Sequence, residues 1–249
     1  MTRYLAVCIA SLALASAASA QPYPAQIILT YYDCPQGPYA VHRPATCTTN
    51  TGTAATLVAS FVPPGVVPLY EAQTSVIELS TSSSTLSPWW HLEPGGCRDG
   101  SLLISGDFGA GPFSCMDFWH GQATASYTYE VGPTSELAPN CARIRTLIAV
   151  PEAQAGPIDN SGMWYAYVLT LTNANSLGTG SCFGCVQGAT ITLTQMNLIQ
   201  PAPAPDIILT TSYQAAVDWG VGAGGFQNCP AQPTPNRRST WGSVKALYR

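Results

Sequence analysis

The 249-residue sequence predicts an all-β protein: an antiparallel β-sandwich or jelly roll of about ten strands, tied by disulfides, with a short C-terminal helix. Three observations carry this expectation. Short runs rich in Val, Ile, Thr, Tyr and Leu recur between clusters of Gly, Pro and Ser. Helical periodicity is nearly absent. Behind an export-type leader, the cysteines form an even set of eight.

The leader comes first. Arg3 supplies the positive charge, and residues 4–18 form an apolar run too short for a comfortable membrane span. Ala18-Ser19-Ala20 is the small-residue pattern read by a signal peptidase, so residues 1–20 are a signal peptide and the mature chain begins at Gln21. Cys8 invites a lipoprotein reading, but bulky Val7 precedes it and almost no apolar run comes before. Cleavage after Ala20 explains the segment better.

Strands are expected at 26–32, 53–61, 67–79, 102–105, 122–131, 142–150, 163–172, 189–198, 206–211 and 215–219. In 126–131, Tyr127, Tyr129 and Val131 share one face while Thr128 and Glu130 take the other. In 189–198, Ile191 and Leu193 alternate with threonines, and Met196 breaks the parity. A helix is expected over 241–248, capped by Thr240, with Trp241, Val244 and Tyr248 on one face.

The proline-rich stretch 201–205 is the one linker-like segment. It is either a domain linker or a stiff crossover inside one domain. Ile27-Ile28-Leu29-Thr30 reappears as Ile207-Ile208-Leu209-Thr210, each after prolines, which suggests two proline-started edge strands. The expected organisation is a β-sandwich domain over 21–200, the crossover, and strands and tail over 206–249 belonging to the same domain.

Composition narrows the partners. With 46% apolar residues the chain can bury a core, yet only 9% are charged, so its surface rests on Ser, Thr, Asn and Gln. Lys245 is the only lysine, and without Arg3 the formal charge falls from −4 to −5. Gripping phosphate backbones needs clustered cations, so nucleic acid is not an expected partner. Beyond the leader no apolar run reaches membrane-spanning length, so an integral membrane protein is not expected either.

Cys34, Cys47, Cys97, Cys115, Cys141, Cys182, Cys185 and Cys229 read as four disulfides in an oxidising compartment. Cys34 with Cys47 and Cys97 with Cys115 would each close a Gly/Pro-rich loop. The other four pair either as Cys182–Cys185 with Cys141–Cys229, or with one bridge to each end of the Cys182-Phe183-Gly184-Cys185 motif. A redox role for that motif would need a helix N-terminus to stabilise the first thiolate, and a Thr-alternating strand follows instead. A zinc ribbon would need a second such motif. No metal or cofactor is expected.

One stretch gathers most of the aromatic and ionisable residues: Trp89, Trp90, His91 and Glu93, then Asp99 and Asp107, then Asp117, Trp119 and His120. His91, Glu93, Asp117 and His120 are the residue types that ligate metals, and Glu93 with Asp107 or Asp117 is the pair type of glycoside hydrolysis. Neither spacing is specific, since carboxylates in Gly-rich turns usually bond their own backbone. Alternatively Trp89, Trp90, His91 and Trp119 form a stacking platform for polysaccharide. The plainer reading has Trp89 and Trp119 plugging one end of the sandwich. There is no nucleophile-elbow motif, and Gly222 to Gly225 lacks the lysine of a phosphate loop.

Several segments together resemble a group of uncharacterised secreted bacterial proteins with a Cys-x-Gly-Cys motif and a Thr-Trp-Gly-x-x-Lys-x-Leu-Tyr-Arg tail. They are Pro88-Trp89-Trp90, Gly96-Cys97-Arg98-Asp99-Gly100, Cys115-Met116-Asp117-Phe118-Trp119, Gly121-Gln122-Ala123, Arg143-Ile144-Arg145, Ala149-Val150-Pro151, Gly178 through Cys185, and Thr240 through Arg249. The resemblance implies a secreted, disulfide-containing β domain and carries over no functional residue. The tail reads as a terminal helix closing the sandwich or as a sorting address.

The functional expectation is a secreted, non-catalytic extracellular or cell-surface protein, structural or adhesive, with polysaccharide or other surface components as partners. A carbohydrate-binding module using Trp89, Trp90 and Trp119 is the first alternative. A secreted hydrolase using carboxylates between Glu93 and Asp117 is the second.

Overall fold

A computed structural model of the chain describes residues 23–34, 41–111, 113–134, 136–210, 212–221 and 229. The signal peptide, the C-terminal helix and the sorting tail expected from the sequence lie outside these residues.

Fourteen strands are present among the described residues: β1 (Gln26–Tyr31), β2 (His42–Arg43), β3 (Thr53–Val62), β4 (Val67–Tyr70), β5 (Ala72–Thr81), β6 (Leu102–Ser105), β7 (Thr124–Val131), β8 (Cys141–Ala149), β9 (Gly156–Ile158), β10 (Trp164–Thr172), β11 (Ala189–Ile199), β12 (Ile207–Leu209), β13 (Ser212–Gln214) and β14 (Ala216–Trp219). One sheet runs β13-β1-β3-β10-β6, and the other runs β2-β14-β11-β5-β8-β7, with β12 also on β11. The pairing is antiparallel except for β1 with β13 and β14 with β2. The fold is all-β, and among the described residues helix is confined to three 3₁₀ turns, Pro88–Trp90, Phe108–Ala110 and Glu152–Gln154.

The two sheets pack face to face over one core. Leu57, Ala59 and Phe61 of β3 and Tyr165, Tyr167, Leu169 and Leu171 of β10 meet Ile77 and Leu79 of β5, Ile144 and Ile148 of β8, and Ile191 and Leu193 of β11, all buried. A polar chain bridges the sheets at mid-core, where Ser75 Oγ lies 2.6 Å from both Thr146 Oγ1 and Tyr167 OH. Burying three hydroxyls is tolerable because they satisfy one another.

Bulges explain two departures from alternation. The register of β11 on β5 slips between Leu193 and Gln195, so Thr194 is an extra residue. That slip lets Ile191, Leu193, Met196 and Leu198 all face inward, each at most 2% exposed. In β10 the slip at Ala166 leaves its carbonyl available to Trp119 Nε1 at 2.9 Å.

The expected strand 67–79 divides at Glu71. Its first part pairs with β9 in a separate two-stranded sheet, while Glu71 N donates to Ile199 O at 3.1 Å and Val150 N donates to Glu71 O at 3.0 Å. The 201–205 stretch turns β11 back onto β12, with Leu198 opposite Ile207, and Gln200 Nε2 donates to Pro205 O at 2.7 Å. Of the two strands expected at sheet edges, β12 lies off the main strand path, paired with β11, whereas β1 sits between β13 and β3 and is interior.

Candidate functional site

The tryptophans of the expected platform are inside the protein. Pro88, with its fixed φ, opens a 3₁₀ turn that sends both following side chains inward, and Trp89 and Trp90 are 0% exposed. Trp89 lies edge-on to Trp90 at 4.6 Å and stacks on Trp219 at 5.0 Å between centroids. Trp119, 1% exposed, packs against Tyr70 at 5.1 Å. Enclosed indoles offer no stacking face, so the platform of Trp89, Trp90, His91 and Trp119 is corrected: the tryptophans form the plug that the plainer reading gave for Trp89 and Trp119, while His91 stays partly exposed beside Glu93. The physical reason is area: each indole buries a large apolar surface that a chain folding two sheets together takes up first.

Arg98 completes the plug. It is 0% exposed, with its guanidinium carbon 3.7 Å from the centroid of the Trp89 ring. Its Nε donates to Ala174 O at 3.0 Å, one Nη to Trp89 O at 3.2 Å, and the other Nη to Thr172 O. A planar five-donor fork suits this ring of carbonyls where an ammonium would not. Burial pulls its pKa down to about 10, against a smaller opposing influence from Tyr129.

The candidate acids are engaged in turns. Asp107 Oδ1 accepts from Gly109 N at 2.8 Å, and Asp99 Oδ2 accepts from Gly95 N at 3.0 Å. Asp117 accepts from Trp119 N at 2.8 Å and His120 N at 3.0 Å. Glu93 Oε1 lies 2.8 Å from His91 Nδ1, and His120 Nδ1 is 3.8 Å from Asp117 Oδ2. Among the described residues no group of three His, Cys, Asp or Glu side chains is placed to hold a metal. The aspartates act as local caps, as Asp in Gly-rich turns commonly does, whereas Glu93 pairs with His91 and its buried Oε2 has no hydrogen-bond partner.

The disulfides differ from the expected local loops. Cys34 pairs with Cys115, Cys47 with Cys185, Cys97 with Cys182 and Cys141 with Cys229. The pairings Cys34–Cys47, Cys97–Cys115 and Cys182–Cys185 are corrected, and Cys141–Cys229 is present. The meeting of loops at the ends of the sheets, not proximity in sequence, decides: it brings Cα atoms 81 to 138 positions apart to within 5.7–6.0 Å.

The motif Cys182-Phe183-Gly184-Cys185 is therefore pinned at both ends to different loops. Three hydrogen bonds hold the backbone between. Trp89 N donates to Phe183 O at 3.0 Å, Ser87 Oγ donates to Gly184 O at 3.4 Å, and Trp219 Nε1 donates to Cys185 O at 2.8 Å. Gly184 has φ +98°, and a Cβ there would sit 2.2 Å from Ser87 Cβ and Oγ, so only glycine fits. The consequence is outward presentation: Phe183 is 73% and Val186 72% exposed.

This end of the sandwich carries little charge. No charged residue occurs between Asp159 and Asp206, nor in 44–52 or 82–88, and the charges that reach this end are those of the Cys97 loop, Glu93, buried Arg98 and exposed Asp99. Its amides are spent on stitching: Asn50 donates to Leu177 O at 2.9 Å and accepts from Leu177 N at 2.7 Å, and Asn175 Nδ2 donates to Cys97 O at 3.2 Å. Leu177, 41% exposed, and Val221, 90% exposed, border the same tip, the latter bridged to Gln187.

Phe183 and Arg98 escaped sequence reasoning as functional residues. The usable signal was the uncharged run around the motif: if each cysteine bridges elsewhere, the two residues between must form a surface loop. A scan against protein-family models and searches of curated proteins and of solved structures found no match.

Proposed function

We propose that the protein is a non-catalytic extracellular module, structural or adhesive in role, whose contact surface is the doubly bridged tip around Phe183. One observation carries this reading: a large aromatic side chain is held 73% exposed by two disulfides and three hydrogen bonds to the carbonyls of 183–185. Exposing an apolar ring forfeits stabilisation that burial would supply, and a rigid aromatic is the side chain type that dominates binding surfaces. Preorganisation by cross-links lowers the entropy cost of contact. The four disulfides suit an oxidising compartment. Among the described residues no helix is long and apolar enough to cross a membrane.

Co-sedimentation tests the reading. Protein with the wild-type sequence and Phe183→Ser are mixed with the envelope fraction of the cells that export it, and separately with insoluble neutral polysaccharide. Retention that falls about tenfold in the variant is the expected result. Retention indifferent to residue 183 would remove the tip from the account. Turnover of a glycoside, ester or peptide substrate that drops with Glu93→Gln or Asp117→Asn would overturn the non-catalytic reading altogether.

A further inference from the structure

We infer that the Cys97–Cys182 bridge is a site of thiol–disulfide exchange, entered at Cys97, for a thiol that carries no negatively charged group beside its sulfur. All eight bridged cysteines are described, and Cys97 alone is exposed. Cys34, Cys141, Cys182, Cys185 and Cys229 are at most 5% exposed, and Cys47 and Cys115 are half-buried. The other three bridges therefore present no exposed half, and exchange needs a sulfur that an incoming thiolate can reach.

Little surrounds Cys97 along the chain. Gly95 and Gly96 precede it without side chains, and Arg98 after it is turned inward onto the Trp89 ring. Hydrogen bonds hold this loop independently of the bridge: Arg98 N donates to His91 O at 2.9 Å, Gly96 N to Glu93 O at 2.8 Å, and Asp99 N to Gly96 O at 3.2 Å. The three carbonyls around the Arg98 guanidinium anchor the loop to the body. On the other side, Cys182 N donates to Asn175 O at 2.8 Å, and Cys185 stays bridged to Cys47. Opening the bridge is accordingly local, with the loss of stability arising in the unfolded chain.

The exchange balances between sulfurs. A thiol ionises, its thiolate attacks Cys97 Sγ, and the bond to Cys182 Sγ breaks as the new S–S bond forms. The electron pair leaves with Cys182 Sγ, which takes up the proton the incoming thiol released. The products are a mixed disulfide at Cys97 and a free thiol at Cys182, without any further oxidant or reductant. Entry from the other side would require reaching Cys182, which is 1% exposed.

Charge selects the thiol. Asp99 is exposed, and its Oδ2 folds back to accept from Gly95 N at 3.0 Å. A Cβ on Gly96 would lie 2.9 Å from the Glu93 carboxyl carbon, so that carboxylate also rests against the residue before Cys97. Two carboxylates flank the entry, while Arg98, the one cation of the loop, is buried. An anionic thiol is disfavoured there relative to a cationic one, by about three- to tenfold in rate at low salt.

Trapping under native conditions tests the inference. The full chain is incubated with cysteamine, 2-mercaptoethanol or glutathione at matched thiolate concentration, quenched at intervals with N-ethylmaleimide, and mapped by mass spectrometry. The expected first product carries the probe on Cys97 and maleimide on Cys182, forms at least about tenfold faster than any other adduct, and keeps its near-UV circular dichroism. Cysteamine outpaces glutathione, and the gap narrows in about 0.5 M salt and in Asp99→Asn, which retains an acceptor for Gly95 N. A first adduct at any other cysteine, including Cys182 with Cys97 left free, overturns the inference. So do four bridges opening together as the near-UV signal is lost. Equal rates for cysteamine and glutathione overturn the charge selection. Each result is independent of envelope retention through Phe183.

Discussion

Replacing Cys97 and Cys182 together by alanine probes the frame that holds the tip. Taken alone, this bridge closes a separation of 85 residues, for which chain entropy gives about 4.6 kcal/mol. The other bridges shorten the loop. A covalent path runs along 97–115, across to 34–47, and across again to 182–185, about 34 residues of chain. The expected loss is therefore about 4 kcal/mol at 25 °C, acting through the unfolded state. With a urea m-value of about 2 kcal/mol/M, the midpoint falls by about 2 M at unchanged m. Equilibrium unfolding by near-UV circular dichroism under non-reducing conditions reads this directly, because the stacked indoles report on the same end of the molecule. A midpoint shift under about 0.5 M would refute the reasoning, since a loss below about 1 kcal/mol means the bridge does not constrain the unfolded chain.

Other outcomes follow from the same structure. Gly184→Ala should destabilise by about 2–3 kcal/mol through its clash with Ser87 and positive φ, and Ser87→Gly in the same chain should return all but about 1 kcal/mol, measured by urea denaturation. Arg98→Met should cost about 3 kcal/mol by leaving three carbonyls without donors, and Arg98→Lys should fail to restore it. The alkaline limb of stability has a defined sign. Burial raises the pKa of Tyr31, Tyr70, Tyr129 and Tyr165, and that of Tyr167 to about 12. Their protons are kept in the folded state and lost in the unfolded one above pH ~10, so stability present below that pH falls as pH rises. Arg98, depressed to about 10, works the other way, because the unfolded chain binds its proton more tightly. The net expectation is a loss of about 4 kcal/mol between pH 10 and 11, with the phenolate absorbance of these five buried tyrosines appearing only on unfolding. Phenolate absorbance from all the tyrosines near pH 10 in an intact fold would contradict it.

The strands were legible because period-two alternation is a local signal. Leu102–Ser105 matches its expected bounds, and β3, β8, β10 and β11 fall within a residue of theirs. Met196 looked like a defect because a bulge at Thr194 cannot be seen in an alternation count. The strands β2, β9 and β13 are two or three residues long, too short to show any period. Disulfide pairing was illegible for a different reason: nearby cysteines look favourable by loop size, while the fold decides which loops, and so which Cα atoms, meet. The tryptophans were legible only as two alternatives, plug or platform, because sequence gives residue type and not depth; the burial of Trp89 and Trp119 decides for the plug. Phe183 was hidden by the same ambiguity, an aromatic between two cysteines whose outward direction depends on bridges that only the fold reveals.

Peptide mapping of the unreduced protein, with chain cleavage after Phe183 to separate Cys182 from Cys185, tests the account most directly. The account predicts one linked pair containing Cys97 and Cys182 and another containing Cys47 and Cys185. A species in which Cys182 and Cys185 are bridged to each other would contradict it, because the tip would then lose the two anchors that hold Phe183 outward.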